Sequence, residues 1–269
     1  MVMNIMKNKE INLILQGGGV KGLAYIGALR CLEENGYKVK NVAGSSIGAV
    51  IGSLIIAGYD SFELEELINK MNGNMFLKEN TLDQKIKNKG LYSISHMEKY
   101  LEKLLLDKNI KVFGDIKVGN YYKAIFITTS IKHKRIFVLP YDLKLINVNP
   151  DTFPIAKAVI MSASIPFFYE PYKVNNHLFF DGGMSDNYPT WCFKKGIALK
   201  VGKDNTFFDN IKQSIFGKIN NVNNIYEIFI NTNNYKAIDF KKGFNNKYDL
   251  YNRGYYAVKN YLKNNNLNL

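Results

Sequence analysis

Cysteine and histidine are both scarce in this chain of 269 residues, which has two cysteines and three histidines. Cys31 and Cys192 provide neither a disulfide framework nor the ligand spacing of a metal site. Because structural disulfides persist mainly in oxidising compartments, this usage indicates a reducing compartment. We therefore expect a protein without structural disulfides and without a bound metal ion.

Long apolar runs are absent as well. No stretch reaches the roughly 18 apolar residues that a membrane-spanning helix requires. The longest run, Ala49–Ala57, has the length of a buried helix. Residues 1–10 are polar and lack the apolar core of a signal peptide. We expect a cytoplasmic protein that contacts membranes only peripherally, and secretion by a non-classical route stays open.

Acidic residues are fewer than basic residues, 23 against 36, which gives a net charge of +13. Such an excess suits either nucleic acid or an anionic membrane surface. The lysines are scattered through a chain rich in asparagine and isoleucine, without an arginine cluster or a ladder of aromatic and basic residues. We therefore expect no nucleic-acid binding. We expect instead that the protein contacts membranes peripherally, through attraction to anionic lipid head groups.

The sequence from residue 11 to residue 57 follows a strand–helix–strand–helix order. Ile11–Leu15 is a short apolar run, and apolar residues at helical spacing follow as far as Asn35. Lys38–Ala43 predicts a second strand, and a second helix extends to Ala57. Because strands joined through a helix pair in parallel, we expect an α/β fold with a mostly parallel central sheet.

Further elements are predicted along the rest of the chain. In chain order they are a helix capped by Ser61, an irregular segment Asn72–Leu91, a helix opened by Ser93 or Ser95, strands Tyr121–Thr129 and Arg135–Leu139, a strand candidate Asp142–Val148, a helix Phe153–Met161, a hairpin of Tyr172–Val174 and His177–Phe180, a helix Pro189–Lys195 and a strand Ile197–Val201. An amphipathic segment near Ile211–Ile230 predicts one or two helices. We expect a core domain over residues 1–203. Residues 204–269 are expected to form a basic, Asn-rich helical extension that packs on the core or continues it.

Gly44-Ser45-Ser46-Ile47-Gly48 joins the second strand to the second helix. A Gly-x-Ser-x-Gly pattern at such a junction is typical of a nucleophile elbow, a strained turn that lifts one serine above the sheet. Side chains at positions 44 and 48 would collide with the neighbouring strand or helix. The pattern is common, so an ordinary turn between a strand and a helix is the alternative.

Gly17-Gly18-Gly19-Val20-Lys21-Gly22 joins the first strand to the first helix. It formally matches the dinucleotide fingerprint, but the second strand does not end in the acidic residue that would bind the ribose. Glycines at the start of a helix also expose N–H groups that can hold a developing oxyanion. Since both turns follow adjacent parallel strands, we expect Ser46 to face Gly17–Gly19 across a few ångströms.

A serine nucleophile needs a group that accepts its proton. His96 and His133 have the sequence surroundings of surface residues, and His177 precedes Asp181 by about 13 Å on one predicted strand, too far for a hydrogen bond. A Ser-His-Asp triad is therefore disfavoured. Asp181, which ends an apolar strand before two glycines, is the remaining candidate, and an Asp-Gly hairpin turn is the alternative interpretation.

Four motifs in one order resemble those of patatin-like phospholipases. They are the glycine loop at 17–22, the serine turn at 44–48, Ser162-Ala163-Ser164-Ile165-Pro166, and Asp181-Gly182-Gly183 with Asn187-Tyr188-Pro189. The resemblance covers about residues 11–200 and implies a three-layer α/β/α sandwich that hydrolyses acyl lipids without a cofactor. It implies Ser46 as nucleophile, Asp181 as base, and the backbone of Gly17, Gly18 and Gly19 as oxyanion hole.

On this basis we expect a phospholipase A or lysophospholipase that acts through an acyl-enzyme. Lys21 stands where the family most often has arginine, which keeps the charge but loses the fork geometry. Lys21, Phe167 and Phe168 are candidate substrate contacts. Two alternatives stay open: a Rossmann-type oxidoreductase that uses the glycine loop, and a catalytically silent membrane-binding module of the same fold.

Overall fold

The computed structural model describes residues 9–76, 90–202, 224–265 and 267. The strands in these ranges are β1 (Lys9–Leu15), β2 (Tyr37–Ser45), β3 (Gly90–Tyr92), β4 (Lys117–Val118), β5 (Tyr121–Tyr122), β6 (Ala124–Ser130), β7 (Arg135–Leu139), β8 (Phe167–Tyr169), β9 (Tyr172–Val174), β10 (His177–Asp181), β11 (Lys195–Gly202) and β12 (Asn224–Asn231). The α-helices are α1 (Ala24–Glu34), α2 (Ile47–Ala57), α3 (Ser61–Lys70), α4 (Ser95–Asp107), α5 (Ile155–Ala163), α6 (Phe240–Asn245) and α7 (Lys247–Asn264). Among the described helices, none is both long enough and apolar enough to cross a membrane.

The central sheet has the strand order β12-β11-β1-β2-β6-β10-β9, and β7 also pairs with β6. The strands from β12 to β6 pair in parallel. The strands β7, β10 and β9 add antiparallel pairings at the other side. The predicted α/β class with a mostly parallel sheet is therefore confirmed.

Alternate residues of a strand point to opposite faces of the sheet. Leu13, Ile14 and Leu15 are consecutive and all fully buried, so both faces of the sheet are covered. Leu13, Leu15 and Val42 belong to the large core under the helices. Ile14 and Ala43 form a smaller cluster on the other face, where it is covered by partly buried side chains that include Tyr188, Cys192 and Phe193. Layers on both faces of the sheet confirm the expected three-layer α/β/α arrangement.

Helix α3 begins one residue earlier than the sequence predicts. Asp60, and not Ser61, is its N-cap: the Asp60 carboxylate accepts the Glu63 N–H at 2.9 Å, and the Glu63 carboxylate accepts the Asp60 N–H at 3.1 Å. This reciprocal pair is a capping box, which satisfies two backbone donors at the start of the helix.

The predictions for two short elements were wrong. Asp142–Val148 is no strand: the chain forms a 3-10 turn over Tyr141–Ile146, since Leu143 and Ile146, three residues apart, both point into the core. Pro189–Lys195 contains only a short 3-10 turn at Thr190–Cys192, after which the chain enters β11.

Residues after 204 contribute a strand as well as helices. Asn224–Asn231 is rich in β-branched and aromatic residues and pairs in parallel with β11 as β12, where the sequence pattern favoured a helix. Helices α6 and α7 follow, and α7 packs along α1. The first part of the predicted amphipathic segment, residues 211–223, and residues 77–89 of the predicted irregular segment lie outside the described residues.

Candidate active site

Ser46 occupies the turn between β2 and α2 and is nearly buried, with 5% of its surface exposed. Its backbone has φ 54° and ψ −122°, a conformation that residues other than glycine rarely adopt. Such strain costs of the order of 1–3 kcal/mol and persists where the surrounding structure imposes it. The geometry is that of the elbow predicted from the sequence.

The two glycines of the turn are required by the close approach of neighbouring backbone. A Cβ atom at Gly44 would stand 2.5 Å from the carbonyl carbon of Gly48. A Cβ atom at Gly48 would collide with the carbonyl oxygen of Leu15, at the end of β1. The steric expectation for both positions is confirmed, and it explains why the turn lies tightly against the first strand.

Ser162 holds the strained turn from the other side. The Ser46 N–H donates to the Ser162 hydroxyl oxygen at 2.9 Å, and that hydroxyl donates to the Ile127 carbonyl at 2.5 Å. Ser162 lies on α5 and is fully buried. It belongs to one of the four sequence motifs, but nothing in the sequence linked it to the serine turn.

Asp181 ends β10 and is 6% exposed. In the sheet register Ser45 pairs with Ile127 and Asp181 pairs with Thr128, so Ser46 follows at the level of Thr128 as well. Ser46 thus follows β2 and Asp181 ends β10, two strands that each pair with β6. The two residues lie at one level of the sheet, on either side of β6.

The carboxylate of Asp181 is oriented by the turn that follows it. Its Oδ1 atom accepts the Gly183 N–H at 2.6 Å, and the Asp181 backbone N–H donates to the Ser164 carbonyl at 2.9 Å. A Cβ atom at Gly182 would stand 2.5 Å from the Ser45 hydroxyl. The turn after β10 therefore lies against the end of β2, next to Ser46.

Asn187 connects the glycine loop to this same turn. The Gly17 N–H donates to the Asn187 carbonyl and the Asn187 side-chain amide donates to the Gly17 carbonyl, both at 2.9 Å. A Cβ atom at Gly17 would lie 3.2 Å from the Cβ of Ser46, which agrees with the predicted approach of loop and serine. Since the Gly17 N–H is already engaged, the N–H groups of Gly18 and Gly19 are the ones left to consider as oxyanion donors.

Residues beyond position 204 support the glycine loop. The Val20 N–H donates to the Ala237 carbonyl at 2.9 Å. Gly19, with φ 56°, packs so closely on Ala237 that a side chain would collide with its carbonyl. Gly243 of α6 packs against Val20 in the same way. The residues after position 204 therefore hold the glycine loop in place through Ala237 and Gly243. The sequence did not indicate this role.

An almost wholly apolar cavity opens beside Ser46 and encloses about 1110 Å³, its open mouth included. Its walls come from the glycine loop, strand β8 and all six helices from α1 to α6. The lining residues are Gly19, Val20, Leu23, Ile26, Ser46, Ile47, Val50, Ile51, Leu54, Leu64, Leu67, Ile68, Met71, His96, Met97, Tyr100, Leu101, Leu104, Ile160, Ala163, Ile165, Tyr169, Phe240 and Phe244. Burial among these groups raises the pKa of the Tyr169 phenol. The arrangement places Ser46 in the wall of a space suited to hydrocarbon.

The three candidate substrate contacts lie around the cavity rather than in its wall. Lys21 is half-buried, which lowers the pKa of its ammonium group by desolvation, and its Nζ lies beside Gly202. Phe167 is 85% exposed with φ 64°. Phe168 contacts two residues of the cavity wall, with its ring centroid 4.9 Å from that of Tyr169 and 5.9 Å from that of Phe240.

The histidines divide between two places. His96 lines the cavity with Ser46, which differs from the surface position expected for it. His133 and His177 stack on each other at 5.3 Å, beyond the end of β6. Partial burial and the charge of Lys132 lower the pKa of His177. Within the described ranges, no group of three or more metal-binding side chains is present.

Comparison with known proteins matches this site to one family. The family model described as patatin-like phospholipase matches residues 13–193, which contain the glycine loop, Ser46 and Asp181. An uncharacterised protein of Bacillus subtilis, YqhO, is 39% identical over 198 residues, which cover 69% of this chain and 67% of that protein. Lysophospholipase NTE1 of Yarrowia lipolytica is 28% identical over 83% of this chain, but this covers only 16% of that larger protein.

Solved structures share the fold at low sequence identity. VipD from Legionella pneumophila matches 96% of this chain and 67% of its own with a TM-score of 0.53 and 15% identity. The type III effector protein ExoU matches 95% of this chain and 53% of its own with a TM-score of 0.56 and 16% identity. With the family model matching two thirds of its length, the chain belongs to the patatin-like phospholipase family and thereby to the hydrolases of acyl-lipid esters.

Proposed function

We propose that this chain hydrolyses carboxyl esters of phospholipids or lysophospholipids through a Ser46–Asp181 dyad. The observation that carries the proposal is the position of Ser46: a strained elbow in the wall of an apolar cavity, at the same sheet level as a buried aspartate. The relatives named lysophospholipase support the choice of substrate class. The family match includes the glycine loop, which favours this function over dinucleotide binding.

In the proposed acylation step the Ser46 Oγ attacks the ester carbonyl carbon while Asp181 accepts the hydroxyl proton. The negative charge that develops on the carbonyl oxygen is stabilised by the N–H groups of Gly18 and Gly19, at the positive end of the following helical turn. The C–O bond to the lipid alcohol then breaks, and the alcohol leaves with the proton from Asp181. The acyl group remains on Ser46 with its chain in the cavity.

Deacylation reverses these roles with water in place of the alcohol. Asp181 takes a proton from water as the water oxygen attacks the acyl carbonyl, the same two N–H groups hold the oxyanion, and Ser46 regains its proton as the fatty acid leaves. One carboxylate serves both half-reactions. Its hydrogen bond from the Gly183 N–H and the packing of Gly182 on Ser45 keep it in place between them.

His96 is the competing candidate for the base, because its side chain lines the same cavity as Ser46. Three features favour Asp181. It shares the sheet level of Ser46, it is held on a strand rather than at the start of a helix, and its turn contacts the end of β2. A His96→Phe variant, which keeps an aromatic ring in the cavity, separates the two candidates.

The test measures fatty-acid release from mixed phospholipid and lysophospholipid vesicles. We expect Ser46→Ala to lower kcat by at least about a thousandfold, since one nucleophile carries the chemistry. Asp181→Asn is expected to lower it by about a hundredfold or more, the usual contribution of a general base. Ser53→Ala, which removes a hydroxyl bonded only to the Val50 carbonyl on the same helix, is the matched control and should retain full activity.

Three outcomes would contradict the proposal in different ways. Equal release by wild type, Ser46→Ala and Asp181→Asn would favour a catalytically silent lipid-binding module. Loss of activity in His96→Phe with Asp181→Asn unaffected would transfer the role of base to His96. A change of intrinsic fluorescence on adding NAD would revive the oxidoreductase interpretation.

We also propose that the substrate is taken from a membrane surface. Exposed apolar side chains lie on segments around the cavity: Phe167 on β8, Leu91 on the paired strand β3, Met184 after the Asp181 turn, and Ile238 next to the segment that contacts Gly19. Exposed apolar groups beside an apolar site are typical of proteins that bind lipid surfaces.

A further inference from the structure

The cavity beside Ser46 follows helix α2 along most of its length. Ser46, Ile47, Val50, Ile51 and Leu54 all line it, which is the spacing of one helical face. Eight residues separate Ser46 from Leu54, so at 1.5 Å per residue the cavity extends about 12 Å from the nucleophile along this helix.

The end of the cavity far from Ser46 is closed by leucines. Leu54, Leu64, Leu101 and Leu104 line it and are between 1% and 7% exposed. The Tyr59 hydroxyl, just after α2, donates to the Leu104 carbonyl at 2.8 Å, which ties α4 to this end of α2. Because these side chains are buried, they close the cavity at this end of α2.

Helix α3 also lines the cavity. Leu64 lies in its first turn, next to the closed end, and Leu67, Ile68 and Met71 follow at helical spacing. Leu67 and Met71 are half-buried, so the cavity is less enclosed at these residues than at Leu64. Helices α2, α3 and α4 thus all line the part of the cavity that lies beyond Ser46.

We propose that α2 acts as a ruler that selects the length of the acyl chain, with Leu54 as the residue that sets its limit. The inference rests on the function proposed above: with the ester carbonyl at Ser46, the chain lies along α2 and its terminal methyl group meets the four leucines. An acyl chain spans about 15 Å in one half of the ~30 Å hydrocarbon core of a bilayer. The cavity, which extends about 12 Å along α2, holds one medium-length chain completely and the longest membrane chains only in part.

The expected result is a defined optimum in a series of p-nitrophenyl esters in mixed micelles. For wild type, kcat/KM rises by about fourfold for each methylene group buried in the cavity. It then falls between the dodecanoyl and the palmitoyl ester. Leu54→Trp moves the optimum to shorter esters, such as octanoyl. Leu54→Ala moves the optimum toward longer chains.

Ile55→Ala is the matched control, because Ile55 neighbours Leu54 on α2 and does not line the cavity. Leu104→Phe, which fills the same end from α4, gives a second variant if tryptophan at position 54 prevents folding, and thermal melting checks each protein. An unchanged optimum in Leu54→Trp and Leu104→Phe, both folded, would overturn the ruler.

Binding of fatty acids to the Ser46→Ala protein, measured by calorimetry, gives a readout that does not require catalysis. Decanoate should bind more tightly than octanoate in this protein, and introducing Leu54→Trp should reverse that order. If wild type hydrolyses no ester but the bound chain length still depends on position 54, the proposed function fails and the ruler stands. If wild type hydrolyses esters and neither readout depends on position 54, the ruler fails alone.

Discussion

At the scale of single residues, the strained serine turn depends on the side chain of Ser162, which is distant in sequence. Ser162→Ala would leave the buried Ser46 N–H and the Ile127 carbonyl without this partner, at a cost of about 1–3 kcal/mol in the free energy of unfolding. Because the lost bond holds the turn itself, we expect kcat to fall by tenfold or more while KM changes little. Chemical denaturation and vesicle hydrolysis measure the two effects.

The control for this prediction is Ser164→Ala. Ser164 is equally buried in the same motif, but its hydroxyl donates to the Ile160 carbonyl of its own helix and does not contact the serine turn. A loss of stability without a loss of kcat is expected there. If both variants lose kcat equally, Ser162 has no special role in positioning Ser46.

The sequence allowed the prediction of those site residues whose constraint is local. Gly44 and Gly48 flank Ser46 within five positions, and this spacing predicts a strained turn once the glycine loop and Asp181 are considered with it. Ser162 and Asn187 act across 116 and 170 positions, and only the folded sheet brings them to the elbow and the glycine loop. His96 was misplaced for the same reason, since the cavity that it lines is formed by helices distant in sequence.

At the scale of elements, the contact between α1 and α7 depends on two glycines. A Cβ atom at Gly254 would collide with the Ala24 carbonyl, and one at Gly27 would collide with the Tyr251 carbonyl. Alanine is a better helix former than glycine by up to ~1 kcal/mol, so helix propensity alone predicts that Gly254→Ala stabilises the protein. We expect the opposite, a loss of about 1–3 kcal/mol from overpacking, visible as a lower melting temperature.

Tyr256→Ala is the control on the same helix, because the Tyr256 side chain is 55% exposed. It should change the melting temperature little. A stabilised Gly254→Ala protein would mean that α7 is not packed against α1 in solution.

Strong helical patterns and the buried strand Ile11–Leu15 were predicted correctly, whereas Asp142–Val148 and Pro189–Lys195 were not. The helix that ends at Ala57 before Gly58 follows from sequence, because a glycine in the left-handed region stops it. Asp142–Val148 also has an alternating pattern, but its core contacts are three residues apart and select a 3-10 turn. Asn224–Asn231 forms a strand because it pairs with the edge of β11, and this pairing overrides the helical pattern of its sequence.

At the scale of the whole molecule, the region after residue 204 is part of the site and not an appendage. The family match ends at residue 193, yet Ala237 holds the glycine loop and Phe240 and Phe244 line the cavity. The contact with the site could not be predicted, because a basic, Asn-rich composition does not indicate which surface its few apolar residues cover. The domain boundary at 203 therefore stays a prediction, and the described contacts favour a region that continues the core.

The net charge of +13 also acts at this scale. If the substrate is taken from a membrane, the protein should bind vesicles that contain anionic lipids more strongly than zwitterionic ones, because each basic residue near the surface contributes about 1 kcal/mol. This attraction weakens as salt shortens the screening length from about 10 Å at 0.1 M toward about 3 Å at 1 M. Cosedimentation of the Ser46→Ala protein with vesicles measures binding without hydrolysis. We expect bound protein to decrease steeply with salt on anionic vesicles and hardly at all on zwitterionic ones. Binding that is equal on both surfaces and independent of salt would assign membrane contact to the exposed apolar side chains around the cavity instead of to charge.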